Sequence, residues 1–359
     1  MSIQKIWSEP YGKRESFRAV SFWKLIFSAL SYLFLLVYYL RVLLHRWGFI
    51  KTKKLKARVI SVGNITLGGT GKTPLVIYLG ERLREKDVNF AILTRGYRRK
   101  SRKMIELKDQ EFSWKEAGDE PYLLSGKLPN VPLFIHKNRV EAGREALSKH
   151  SVGMLILDDG FQHWRLHRDV DIVVIDCLNP FGAGRLFPAG YLREPLTALR
   201  RADVFVLNRV DQAANIEEIT KVLNRYNPGA LRVESVYLLD SIRNSSDRSL
   251  VDTEALKGKR VVALSGIANP FSFEKTLNSS GIKIVKHFKF PDHFPYTEED
   301  IVKLQRDSLN LGTEAILTTE KDAVRIPGIS PLRIPVHVVN VRLKITKGEE
   351  DFWRVVGSS

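Results

Sequence analysis

Gly63-Asn64-Ile65-Thr66-Leu67-Gly68-Gly69-Thr70-Gly71-Lys72-Thr73-Pro74 is a glycine-rich run set between two apolar stretches. Residues 58–62 before it read as a short buried strand, and Leu75, Val76, Tyr78, Leu79 and Leu83 after it form the apolar stripe of a helix. Strand, glycine loop and helix together are the context that a phosphate-binding P-loop requires. Gly68, Gly69 and Gly71, with Thr70 among them, let consecutive backbone N–H groups point inward at phosphate oxygens. Lys72 adds a point charge, and the Thr73 hydroxyl can ligand Mg²⁺. Pro74 fits a first helical turn, where its missing N–H would have been unpaired anyway. One letter departs from GxxxxGKT: Thr66 holds the place of the first glycine, so the outer turn of the loop is expected to have an unusual shape.

Downstream, the apolar run Met154-Leu155-Ile156-Leu157 ends in Asp158-Asp159-Gly160, as a Walker B strand does when it delivers carboxylates to a metal. Asp158, Asp159 and Thr73 are therefore the candidate metal ligands. Further apolar strands at 90–93, 172–175 and 204–207 alternate with helical patterns. This predicts an α/β fold of the P-loop NTPase type, with a mostly parallel, doubly wound sheet. Asn208-Arg209-Val210-Asp211 loosely echoes a base-reading loop but reads more simply as a strand end. Residues 227–257, rich in Asn, Ser, Asp and Arg, are expected to contain a boundary. Strands at 261–264, 282–285, 315–317 and 336–339, with helices at 271–277 and 298–304, then suggest a second, smaller α/β domain. The expected organisation is an N-terminal segment at 1–50, a nucleotide-binding core at 51–235, and a linker with a C-terminal α/β domain at 236–359.

The chain has 359 residues, 44% of them hydrophobic, which supports a sizeable core and excludes disorder as the main state. A lone cysteine, Cys177, excludes an internal disulfide framework and paired-cysteine metal spacing. The net charge is +17, concentrated at the N-terminus, where residues 1–60 hold twelve Lys or Arg against Glu9 and Glu15. Arg95, Arg98, Arg99, Lys100, Arg102 and Lys103 form a second basic cluster. Such fields attract anionic membranes, phosphorylated substrates or nucleic acid.

Between Lys24 and Arg41 run sixteen uncharged residues, 25–40. As a helix they reach about 24 Å, short of a roughly 30 Å hydrocarbon core unless the flanking cations snorkel. Phe22, Trp23, Phe27, Tyr32, Phe34, Tyr38, Tyr39 and Trp47 crowd the segment. Aromatic rings with flanking cations favour an interfacial, membrane-associated helix. Because these aromatics are clumped in an apolar segment, they suit lipid better than a base-stacking groove, and no nucleic acid is expected.

Taken together, the motifs resemble the tetraacyldisaccharide 4'-kinase family, the lipid A kinases of Gram-negative envelopes. The likeness rests on the P-loop, Arg95-Gly96-Tyr97, Gly118-Asp119-Glu120-Pro121 and Asp158-Asp159-Gly160-Phe161-Gln162-His163. It continues through Pro188-Ala189-Gly190, Leu192-Arg193-Glu194-Pro195, Gly266-Ile267-Ala268, Asp292-His293 and Thr318-Thr319-Glu320-Lys321-Asp322-Ala323. That resemblance implies transfer of the ATP γ-phosphoryl group, with Mg²⁺, to the 4'-hydroxyl of an acylated glucosamine disaccharide 1-phosphate, giving lipid IVA. It implies a monotopic or peripheral enzyme on the cytoplasmic face of the inner membrane. It gives Asp119 the role of general base with His293 as partner, and puts Arg193 and Glu194 near phosphates and metal. Read on their own residues, Asp119 could cap a helix starting at Pro121, and His293 could sit in a structural turn. Arg98 stands where the family usually has glycine, so the Arg95–Lys103 loop is expected to differ in shape.

Overall fold

The computed structural model describes residues 17–97, 99, 103–107, 112–328 and 332–357, the side chains of 17–22 excepted. Arg98, Lys100 and Arg102 of the basic cluster, like Lys5, Lys13 and Arg14, lie outside the described residues.

One continuous sheet runs through the molecule. Its order is β3 (Ile105–Leu107), β4 (Leu133–Ile135), β2 (Phe90–Thr94), β5 (Met154–Asp158), β1 (Arg58–Gly63), β6 (Val170–Asp176), β7 (Val204–Asn208) and β8 (Leu231–Asn244). It continues through β13 (Val336–Lys347), β12 (Ala315–Thr319), β10 (Val261–Ser265) and β11 (Ile284–Lys289), with β9 (Leu250–Val251) beside β8. The pairings from β2 to the start of β8 are parallel, as are those among β10, β11, β12 and the start of β13. Strands buried on both faces of a parallel sheet need continuous apolar runs, and Met154-Leu155-Ile156-Leu157 is such a run.

Alternate residues of each strand feed opposite layers. Ile60 and Val62 pack under α2 (Lys72–Glu85) and α4 (Asp119–Lys127), the latter preceded by the single turn α3 (Trp114–Ala117). Val59 faces α5 (Arg139–Lys149), and Val173 and Ile175 face α6 (Ile216–Tyr226). In the second half, Val261 and Ala263 meet α7 (Pro270–Ser279), whereas Val262 and Leu264 meet α8 (Glu298–Asn310). β1 lies between β5 and β6, the reversal point where the crevice beyond the strand C-termini opens in doubly wound sheets.

Two features differ from the sequence reading. The expected boundary at 227–257 contains β8, which pairs with β7 at 231–235 and antiparallel with β13 along its length. The limit at 235/236 thus falls inside a strand, and the two halves share β8 and β13. Polar letters such as Ser235, Asp240 and Asn244 hid a strand whose hydrogen bonds come from the backbone. Second, α10 (Glu349–Gly357) returns to the N-terminal half, where Phe352 and Val356 join the core around Tyr78 and Leu79. Tyr78 Oη donates to Glu349 at 2.5 Å and Arg58 Nη2 to the Val355 carbonyl at 2.8 Å.

The N-terminal helix α1 (Phe17–Arg46) has 30 residues, not the sixteen suggested by the uncharged run. Arg41 does not end it. Its guanidinium turns to the protein, donates to the Gln162 carbonyl at 2.8 Å and lies 4.5 Å from the Trp164 ring centre. Ser31 Oγ donates to the Leu186 carbonyl and accepts from the Ala189 N–H, while Tyr38 and His45 pack edge-on against Trp164. The other side of α1 leaves Trp23, Leu25, Tyr32, Leu33, Leu36 and Leu40 exposed.

Candidate active site

The glycine loop is tied down on every side. Thr66 pairs antiparallel with Leu192, the Leu67 N–H donates to the Tyr191 carbonyl and the Arg193 N–H to that of Ile65, both at 2.7 Å. The irregular letter is thus a short ladder position, which any extended residue can fill, where a standard loop has its first glycine. Asn64 is fully buried and uses both ends of its amide. Nδ2 donates to the Thr66 carbonyl at 2.7 Å and to Thr70 Oγ1 at 3.0 Å, and Oδ1 accepts from Arg193 at 3.0 Å. Gly68 and Gly71 have φ of 104° and 99°, conformations that favour glycine. A Cβ on Gly71 would also collide with Tyr237 Oη and Asn208 Nδ2.

Asn208 and Arg209 hold the loop from behind. Asn208 Nδ2 donates to the Thr70 carbonyl at 2.9 Å and to Tyr237 Oη at 2.7 Å. Arg209 donates to the Gly69 carbonyl at 3.3 Å and pairs with Asp176 at 2.7 Å. This loop is a buttress: the Asn208 amide, which a base-reading loop would turn to the nucleotide, is spent on the P-loop backbone. α2 then opens at Lys72 with no acidic residue in its first turn, so Thr73 and the free N–H groups there present a positive end.

Asp158 and Asp159 emerge from β5 in different states. Burial, followed by the charges of Glu120 and Asp159, pushes the Asp158 carboxyl up to about 7. Thr94 Oγ1 donates to its Oδ2 at 3.0 Å, while its buried Oδ1 has no hydrogen-bond partner. Asp159, at a φ of 53°, is gripped by Arg193 through Oδ1 at 2.6 Å and Oδ2 at 3.0 Å, and Lys72 Nζ lies 3.5 Å away. Burial raises its carboxyl, but Lys72 and Arg193 outweigh burial and hold it far below the ordinary range.

Asp119 and His293 meet across the two halves. Asp119 opens α4, two residues earlier than the Pro121 start considered from sequence. Its Oδ1 accepts the Glu120 N–H at 2.9 Å, and its Oδ2 lies 2.7 Å from His293 Nδ1 and 3.7 Å from Arg325 Nε. Burial pushes this carboxyl up, yet the His293 hydrogen bond with the Lys321 and Arg325 charges leaves it below its usual range. His293, at a φ of 60°, donates its backbone N–H to the Gly266 carbonyl at 3.1 Å. The Gly266 N–H in turn donates to Asp322 Oδ1 at 2.8 Å, which also accepts from Tyr296 and Arg325. The two buried residues Asp322 and Arg325 thereby fix the loop that carries His293. The Gly266–Ala268 loop after β10, to which the His293 backbone is bonded, itself reaches the phosphate site, since a Cβ on Gly69 would stand 3.1 Å from that of Ala268.

Glu194 faces the other way from Arg193. Its buried carboxylate accepts from Arg201 at 2.5 Å, and Arg201 also donates to Tyr38 Oη at 3.3 Å and stacks over Phe161. Gln162 Nε2 donates to the Asn64 carbonyl at 2.8 Å, so this residue links α1, through Arg41, to the glycine loop. Burial and the Arg139 charge push the His163 imidazole down to about 4. Of the proposed residues, Lys72, Asp159, Arg193 and the P-loop converge in one cluster, with Asp158 adjoining it. Asp119 and His293 form a second cluster, connected to Asp158 by the charge of Glu120. Asn64, Asn208, Arg209, Tyr237, Lys321 and Arg325 support these groups; Asn64, Asn208, Arg209 and Lys321 stood in motifs quoted from the sequence, but none of the six was given a role at the site.

The family model for tetraacyldisaccharide-1-P 4'-kinases matches residues 23–358. The chain belongs to the tetraacyldisaccharide-1-P 4'-kinase family. The tetraacyldisaccharide 4'-kinase of Halothermothrix orenii is 39% identical over 352 residues, covering 92% of this chain and 91% of that protein. That of Elusimicrobium minutum is 39% identical over 320 residues, covering 86% and 84%. Among solved structures, LpxK from Aquifex aeolicus, crystallised with ATP, is similar at a TM-score of 0.71 and 35% identity, over 92% of this chain and 96% of that one. The resemblance read from the motifs agrees with this family assignment.

Proposed function

We propose that this member of the family transfers the γ-phosphoryl group of ATP to the 4'-hydroxyl of tetraacyldisaccharide 1-phosphate, forming lipid IVA in lipid A biosynthesis. One observation carries the site assignment: Asp119 and His293, from different halves of the chain, meet at 2.7 Å. Phosphoryl transfer needs the phosphates held, their charge neutralised and the acceptor oxygen in line. The backbone of residues 68–71 and Lys72 serve the first need. Lys72 and Arg193 serve the second, and Arg193 also orients Asp159.

The donor set fits Mg²⁺, which favours one or two carboxylates together with substrate phosphates. Asp158 Oδ1 is a buried acceptor without a partner, as a ligand awaiting a hard cation would be, and Asp159 and the Thr73 hydroxyl complete the set. Bound there, the ion would supply neutralisation of phosphate charge. We place Asp158 and Asp159 in this role, while Glu194 is engaged by Arg201.

Asp119 accepts the proton of the 4'-hydroxyl as its oxygen attacks the γ-phosphorus. The bond to the β,γ-bridging oxygen breaks, and ADP leaves with that electron pair. Because Asp119 is held below the usual range, it is ionised and ready at neutral pH. The C-terminal half supplies His293 to this base and, through Ala268 against Gly69, covers one side of the glycine loop.

We further infer that α1 lies in the cytoplasmic leaflet of the inner membrane. Residues 23–46 are long and apolar enough to cross a bilayer. Contacts from Ser31 to His45, however, keep about 21 Å of one side against the protein. A helix so docked offers lipid its exposed side only. Substituting Asp119 by Ala and assaying phosphorylation of the lipid acceptor at saturating substrate tests the reading; near-normal turnover would remove Asp119 from the base role.

A further inference from the structure

His293 stands between two partners that dictate where its ring proton lies. Nδ1 is 2.7 Å from Asp119 Oδ2, and Nε2 is 3.2 Å from the Lys321 ammonium. An ionised carboxylate only accepts, so Nδ1 must carry a hydrogen; an ammonium only donates, so Nε2 must offer its lone pair. Lys321 has three hydrogens and three acceptors within reach: Glu120 Oε1 at 3.0 Å, His293 Nε2 at 3.2 Å and Asp292 Oδ1 at 3.5 Å. The competing acceptor for a proton on Nε2 is Asp292 Oδ2, at 3.7 Å, beyond hydrogen-bond distance. Among the described residues, Arg325 faces Asp119 and the Tyr97 ring lies 5.7 Å from the imidazole centre.

Lys321 is well placed to hold this arrangement. Its side chain is 19% exposed and belongs to the turn Glu320–Ala323 (α9), whose first residues are capped by Thr319. Burial works against its charge, but Glu120, Asp292 and Asp119 outweigh it and raise the ammonium above its ordinary value. The Asp322 that follows fixes Gly266, and Gly266 fixes the His293 backbone.

We propose that Lys321 is a positioning residue for the transfer: it locks His293 as the Nδ1–H tautomer, making the imidazole a permanent hydrogen-bond donor to Asp119. The inference rests on Asp119 being the base and sharpens what its partner does. The 4'-hydroxyl proton stops on Asp119, and His293 orients that carboxylate without receiving the proton.

The test is ¹⁵N spectroscopy of the full chain in detergent micelles with labelled histidine, the His293 signal being the one absent from His293→Asn. At pH 7.5 the expected pattern is a protonated Nδ1 and an unprotonated Nε2. Lys321→Met is expected to mix the tautomers and lower kcat about tenfold, a modest part of what general-base catalysis supplies, with the KM for ATP within about threefold. Lys321→Arg, which keeps a donor, is expected to preserve the tautomer and most of kcat. A wild-type Nε2–H tautomer, or a folded Lys321→Met protein with unchanged tautomer and kcat, would overturn the proposal. If Lys321→Met does not fold, the wild-type and Lys321→Arg spectra decide. The base reading fails separately, by near-normal turnover of Asp119→Ala while the wild-type tautomer is as stated.

Discussion

Arg193 grips Asp159 in a two-pronged pair, Nη1 to Oδ1 at 2.6 Å and Nη2 to Oδ2 at 3.0 Å. The fork also reaches Asn64 Oδ1 at 3.0 Å, so one guanidinium sets both the carboxylate and the base of the glycine loop. An ammonium cannot reproduce this planar, multiply bonded geometry. Arg193→Lys is therefore expected to lower kcat/KM about 100-fold, or about 2.7 kcal/mol of transition-state stabilisation. Steady-state kinetics with ATP and the lipid acceptor check it, and a change under threefold would mean that charge alone suffices there.

Asp119 gives a pH signature. Burial raises its carboxyl, but His293, Lys321 and Arg325 outweigh burial and leave it depressed. A depressed acid contributes stability that is fully present above the unfolded value, about 3.9, and lost as pH falls through the folded value. The melting-temperature advantage of the wild type over Asp119→Asn should hold steady from pH 8 to about pH 5 and close in more acid solution. A gap that instead widens on acidification would contradict the ionised assignment.

Gly71 cannot be replaced by alanine at low cost. Its φ of 99° is unfavourable to L-residues by roughly 1–2 kcal/mol, and the added methyl would meet Tyr237 and Asn208. Gly71→Ala should lower the melting temperature and weaken ATP binding together, as read by thermal melts and calorimetry. Gly48, whose φ of 77° is also positive but whose added Cβ would meet open space, serves as the control: Gly48→Ala should leave ATP binding unchanged.

The exposed side of α1 separates membrane attachment from folding. Leu36 is 64% exposed, so a lysine there removes little packing. A charge in a lipid-facing position costs up to about 3 kcal/mol at mid-bilayer and less near the interface. Leu36→Lys should reduce co-sedimentation with anionic vesicles by roughly tenfold or more with the melting temperature unchanged. Undiminished vesicle binding would place that side of the helix away from lipid.

Much of this fold was written locally, and the exceptions have physical causes. β1, β5, β6 and β7 are buried on both faces, so their apolar runs announced themselves, and Gly71-Lys72-Thr73 named the phosphate loop. β8 escaped because its polar letters hide a strand defined by pairing with β7 and β13, a long-range property. Arg41 misled because a charge inside an apolar run looks like a helix limit, whereas a carbonyl and an indole ring 121 to 123 residues away receive it. Asn208 and Arg209 looked like a plain strand end, and only the folded chain reveals them behind Thr70 and Gly69. The Asp119/His293 pairing, 174 residues apart, came from resemblance; no local pattern joins them.

Acceptor-dependent phosphoryl transfer from this site is open to direct assay. The most direct measurement incubates the full chain in detergent with γ-labelled ATP, Mg²⁺ and tetraacyldisaccharide 1-phosphate, in parallel with Asp119→Ala. Label is expected at the 4' position of the lipid for the wild type, with a loss of at least about 100-fold for the variant. ATP binding without any labelled lipid, or equal labelling by both proteins, would contradict it.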